Sequence, residues 1–169
     1  MIETLKSFYA YNSWATARLI DSLEQLSPGK WNAPGASGMG SILETLAHLM
    51  GSQWGWISWL DGSLTTAQAM TLRVTPESID TPQKARDRWN PIDIQTIAAV
   101  ESLSEDKLQD VWSWTHPVAG TNSLPLWRLL MHVANHGTHT RAQINAAIRR
   151  LGHEPKNIDF LNYSLEGPR

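Results

Sequence analysis

The chain has no cysteine. Disulfides, thiolate metal sites and a cysteine nucleophile are therefore excluded. Charge is sparse too: 18% of the residues are charged and the formal net charge is -2. With no basic stripe or tail, the electrostatic footprint of a nucleic-acid binder is missing, as is any attraction to an anionic membrane. Apolar runs are broken by polar residues well short of membrane-spanning length. The first residues, Met1 to Lys6, lack the charged-then-apolar plan of a signal peptide. A cytoplasmic protein is expected, with neither nucleic acid nor membrane as partner. Several catalytic signatures are absent as well. There is no His-Glu-x-x-His, and no serine sits in a nucleophile-elbow context. The glycines between Gly35 and Gly40 follow no strand and lack a lysine-serine ending, so they do not form a phosphate loop.

What is present is helical. The 169 residues suit a single domain, 1–169, large enough to bury a real core. A first helix is predicted from Ile2 to Leu26, with Leu5, Phe8, Ala15 and Leu19 on one stripe and polar Asn12 among them. Ser27-Pro28-Gly29 ends it, and a loop follows from Pro34 to Gly40. A second helix is predicted from Ser41 to Leu60. Ser41 and Glu44 have capping-box spacing, and the helix is apolar almost all round. Residues Ser63 to Thr81 read as irregular. A third helix starts near Pro82 and runs to Leu103, with a kink or break expected at Pro91. Ser104 to Lys107 ends it or adds a short turn. Between Leu108 and Asn122 the alternating, aromatic Val111-Trp112-Ser113-Trp114-Thr115 predicts a strand or hairpin, with a turn at His116-Pro117. A fourth helix is predicted from Ser123 to Leu151, closed by Gly152, and the tail is expected to be extended and to pack across the bundle. The fold class is all-α: a four-helix up-and-down bundle with a short strand or hairpin before the last helix. Nine tryptophans supply a large aromatic core or wall a pocket; Trp54, Trp56 and Trp59 are read as core or dimer contacts.

Four histidines fall within predicted helices. His132, His136 and His139 share one sector of the fourth helix, about 60° wide at ~100° per residue. Two imidazoles one turn apart can chelate a divalent ion, and His48 is the histidine placed to add a ligand from a facing helix. The apolar face of the fourth helix is set by Leu129, Leu130, Val133, Ile144, Ala147 and Ile148. Its centre lies about 70° from His136 and about 130° from His139. The inward position one turn beyond His136 is Thr140, whose hydroxyl is a poor ligand for zinc or nickel. Gln143 and Asn12 are candidate donors to an imidazole, or ordinary contacts between helices. Asn135 and Arg141 flank the cluster; Arg141 reads first as a helix-surface arginine.

Several segments, in order along nearly the whole chain, resemble the DinB/YfiT-like family of metal-dependent bundle proteins. They are Tyr11-Asn12-Ser13-Trp14-Ala15 with Arg18-Leu19, then Ser41 to His48, then His132 to Gln143, and last Leu151 to Pro155 with Asp159 to Tyr163. The resemblance implies an up-and-down bundle, often homodimeric, and a metal held by three histidines with water in the open positions. His48 and His136 match two of those ligands. The third is usually the histidine before an Arg-Gly-Gln triplet, and here that position is Thr140, with Ala142 for the glycine. Three outcomes stay open: His139 replaces the missing ligand, two histidines and water hold metal weakly, or the site is vacant. The expected site is thus His48, His136 and His139 with a divalent metal, zinc or nickel. The expected function is a metal-dependent hydrolase or transferase, resembling thiol-dependent transferases and acting on a small molecule such as a thiol. The alternative is a non-catalytic, stress-associated binding or dimerisation bundle.

Overall fold

A computed structural model of the chain describes residues 1–33, 40–116 and 120–166. The glycine-rich stretch 34–39, read as a loop, and Pro117 of the proposed turn lie outside the described residues. Four long helices carry the fold: α1 (Ile2–Leu23), α3 (Ile42–Leu60), α5 (Pro82–Glu101) and α6 (Leu126–Arg150). Shorter helices α2 (Pro28–Trp31), α4 (Thr66–Thr71) and α7 (Phe160–Glu166) and an antiparallel hairpin, β1 (Val111–His116) and β2 (Gly120–Pro125), complete it. Among the described residues, no helix is long and apolar enough to cross a membrane.

Local chemistry explains most boundaries. The Ser41 hydroxyl accepts from the Glu44 amide and the Glu44 carboxylate accepts from the Ser41 amide, so the capping box forms as predicted. Gly152, at φ 83, turns the chain out of α6. Three expectations are corrected. The segment read as irregular forms α4 and a 3-10 turn (Pro76–Ile79), because Thr65 and Gln68 make a second capping box that the sequence reading passed over. Helix α5 runs unbroken through Pro91. Pro91 and Asp87 are both exposed, so the carbonyl of Asp87, which loses its amide partner, faces water. Ser123 does not open the last helix: it pairs with Ser113 across the hairpin, and α6 begins after Pro125. The 3-10 turn at Asp106–Gln109 is the short extra turn after α5, and the tail ends in a helix, α7, that packs on α1.

The long helices pack in the ring α1–α5–α3–α6. Two apolar clusters fill it. One holds Leu19, Leu23, Leu46, Trp89 and Ile148; the other holds Leu5, Tyr9, Ile57, Val100 and Leu130. Along α1, α5 and α6 the residues of the two clusters lie on opposite sides of a buried polar belt. That belt positions the candidate site.

Candidate metal centre at the bundle waist

Each long helix contributes at least one buried polar side chain to the belt: Asn12 and Thr16 from α1, Gln53 from α3, Thr96 from α5, Thr140 and Arg141 from α6. Buried polar groups are tolerated where they bond one another. Gln53 Nε2 donates to Thr96 Oγ1 at 3.0 Å, and Thr96 donates to the carbonyl of Ile92. Arg141, read as a surface residue, is fully buried instead. Its guanidinium donates to Thr16 Oγ1 at 3.2 Å, Thr138 Oγ1 at 3.3 Å and Asn12 Oδ1, and lies 5.6 Å from the Tyr11 ring centroid. No carboxylate pairs with it among the described residues, and its Nε is buried without a partner. Burial holds its pKa down at about 10. Asn12 and Arg141 thus bind each other and join α1 to α6.

His48 projects from α3 and His136 from the adjacent α6. Their Nε2 atoms stand 3.0 Å apart, a hydrogen bond in which one ring N–H donates to the other ring nitrogen, with ring centroids at 4.9 Å and planes inclined by 69°. Both rings are half-buried. Burial, together with the charges of His48, His132 and His139, lowers the His136 pKa to about 4. Burial and then the charge of Arg73 lower that of His48. Neutral imidazole is the form that ligates metal. Metal–nitrogen bonds of 2.0–2.1 Å at tetrahedral to square angles put two ring nitrogens ~2.9–3.4 Å apart, so the His48–His136 separation fits two corners of one coordination sphere.

The remaining corners differ. Thr140 Oγ1 donates to the carbonyl of His136 at 2.9 Å, so its hydroxyl is engaged by its own helix. His139 is exposed, with Nε2 2.9 Å from Nε2 of Gln143. Gln143 therefore supports His139 and not the buried pair. His132 is exposed and meets Trp56 edge-on at 5.5 Å, 6.2 Å from the His136 ring. Among the described residues, no three histidine, aspartate, glutamate or cysteine side chains gather as a metal-binding group. The residues present fit a metal held by two imidazoles and otherwise by water. Of the three tryptophans read as core or dimer contacts, Trp59 is buried, Trp54 is half-buried under Arg88, and Trp56, against that reading, lines a cavity.

A cavity of about 520 Å³ opens beside His48, bounded along α3 from Glu44 to Trp56 and covered by residues 69–76. The cover sits close because α3 carries Gly51 and Gly55. A Cβ on Gly51 would meet the Val74 amide at 3.3 Å, and one on Gly55 would meet the Ala69 carbonyl oxygen at 2.8 Å. Arg73 and Met70 enter the site this way, and the sequence reading missed both. The signal that could have found them was the pair of glycines four apart on an otherwise apolar helix.

A mostly helical bundle with a paired histidine waist beside a cavity is the class that this fold and site define. The family model of the DinB family matches residues 1–167. The chain belongs to the DinB family. It is also similar to Protein DinB of Bacillus subtilis (strain 168), at 25% identity over 154 residues, covering 90% of this chain and 88% of that protein.

Proposed function

We propose that this DinB-family protein is a metal-dependent enzyme, a hydrolase or transferase acting on a small molecule such as a thiol. The observation that carries the reading is the convergence of His48 and His136 at 3.0 Å beside a cavity. A zinc or nickel ion there would act as a Lewis acid and lower the pKa of a bound water or thiol. His48 and His136 would hold it from two helices, with α6 tied to α1 by the Asn12–Arg141 contact. His139 would be the third protein ligand of the proposed set, and would have to give up its contact with Gln143 to serve; water would otherwise fill that position. The aromatic wall of Trp56 limits water on one side of the site. Assembly as a cytoplasmic homodimer belongs to the same proposal and is checked by sedimentation.

The test is metal content of untagged protein before and after incubation with zinc, nickel and manganese. About one ion per chain is expected, lost in His48→Ala and in His136→Ala and weakened in His139→Ala. Full occupancy in His48→Ala would place the ion elsewhere. One observation favours a second reading, a non-catalytic, stress-associated binding or dimerisation bundle: the usual third ligand position holds Thr140, with its hydroxyl bonded to its own helix. Protein that takes up no metal under any of these conditions would select it.

A further inference from the structure

We propose that the cavity beside His48 binds a small organic anion, its carboxylate or phosphate on Arg73 and its apolar body against Trp56, Met70 and Leu72. The inference rests on the proposed function, takes this cavity as its substrate site and names the substrate class. It stands on the placement and partners of Arg73. The close packing on Gly51 puts the Arg73 Cα 3.7 Å from where a Gly51 Cβ would be, one helical turn beyond His48. Nη1 donates to the carbonyls of Leu72 at 2.7 Å and Met70 at 3.1 Å, which orients the guanidinium plane. Those two bonds use only Nη1, and none of the carboxylates among the described residues forms an ion pair with Arg73. A guanidinium held in this way presents its remaining N–H groups as a fork that suits carboxylate or phosphate oxygens. Some other cations here are ion-paired, half-buried Arg86 to Asp21 and Glu24, Arg149 to Glu154 and Lys84 to Asp80, while Arg88 and Arg128 lie over the rings of Trp54 and Trp127.

The rest of the cavity sets the orientation and shape of the guest. Glu44 lines the end of the cavity farthest from Trp56 along α3, where the Ser41 amide and hydroxyl hold its carboxyl below the usual range and keep it charged. That charge disfavours an anion at its own end and favours the part of the cavity between Arg73 and Trp56. Trp56 is braced edge-on by His132 and Trp114 and offers a fixed apolar surface. A volume of about 520 Å³ lies within the range of small-molecule pockets.

The experiment is calorimetric titration of the full chain, metal-free and zinc-loaded, with three probes of one shape: phenylacetate, benzylphosphonate and the neutral phenylacetamide. Phenylacetate or benzylphosphonate is expected to bind at least about tenfold more tightly than the amide, the better of the two identifying the anion. Arg73→Gln should remove that preference without weakening the amide, Arg73→Lys should keep part of it, and Trp56→Ala should weaken all three. Thermal melts of each variant separate lost binding from lost folding; Arg73→Lys carries the test should Arg73→Gln melt early. Equal binding of acid and amide, an anion preference that survives in Arg73→Gln, or no binding by any probe would overturn the inference. Titrating His48→Ala with the same probes separates the two proposals. Anion binding kept there, with zinc uptake absent from the wild type, would sink the metal reading alone; zinc uptake with no anion preference would sink this one alone.

Discussion

Replacing Asn12 by aspartate puts a carboxylate against the Arg141 guanidinium with almost no change in shape. Arg141 is buried without a counter-charge, and its pKa of about 10, against an ordinary 12.5, corresponds to ~3 kcal/mol charged to the native state. Asn12 is buried to nearly the same degree, at 3% exposure against 0%. A carboxylate there costs a comparable ~3 kcal/mol in lost hydration. Its attraction to a guanidinium at ~3 Å, with an effective dielectric of ~20, is ~5 kcal/mol. The expected outcome is a gain of ~2 kcal/mol at pH 7, read as a higher urea midpoint at unchanged slope. The pH dependence gives an independent check. The paired carboxyl titrates below its unfolded value, so the gain is complete above pH ~4 and disappears as pH falls through the lower, folded pKa. A variant less stable than wild type at pH 7, and relatively better in acid, would refute the reasoning. It would mean that Arg141 already has its compensation within the belt.

Thr140→His supplies an imidazole at the third ligand position, and zinc affinity should rise at least about tenfold by competition with a chromogenic chelator, with some loss of metal-free stability from crowding a site only 2% exposed. No gain would show that the residue at 140 is not what limits the site. Gly55→Ala should lose ~1–2 kcal/mol in urea unfolding, because a Cβ 2.8 Å from the Ala69 carbonyl outweighs the ~1 kcal/mol of helix propensity gained; Gly51→Ala, at 3.3 Å, should be close to neutral. Equal effects at the two sites would argue against the close seating of the cover. Asp93, bonded to Ser13, has its carboxyl raised by burial. Its native form therefore binds the proton more tightly than the unfolded chain, and stability falls as pH rises through the unfolded value up to the folded one. Asp93→Asn should melt above wild type at pH 7 and lose that advantage near pH 3; an unchanged difference between the two would remove the carboxyl as the cause.

Much of the helical plan was legible because its signals are local. The Ser41–Glu44 capping box, the close of α6 at Gly152 and the alternation in Val111 to Thr115 each involve residues a few positions apart, and each forms where it was expected. Of the kink or break expected at Pro91, the break does not occur, because the penalty depends on whether the freed carbonyl meets water, and that is decided by which side of α5 faces out. The helical face of α6 placed His136 inward and put Thr140 closer to the core than His139. Burial agrees: His136 is half-buried, Thr140 buried and His139 exposed.

By itself the sequence determined an all-α bundle with a hairpin before its last long helix, and it singled out His48, His136 and His139 as candidate ligands. Tertiary structure alone decided that the rings of His48 and His136 meet at 3.0 Å. It also decided that Arg141 is the buried centre of a polar belt and that Arg73 stands over Gly51 beside His48. The physical reason is distance along the chain. Helical periodicity ties residues three or four apart to one face, whereas the partners of Arg141 on α1 and those of His48 on α6 lie 88 to 129 positions away. Only the packing of α1, α3 and α6 against one another brings them together.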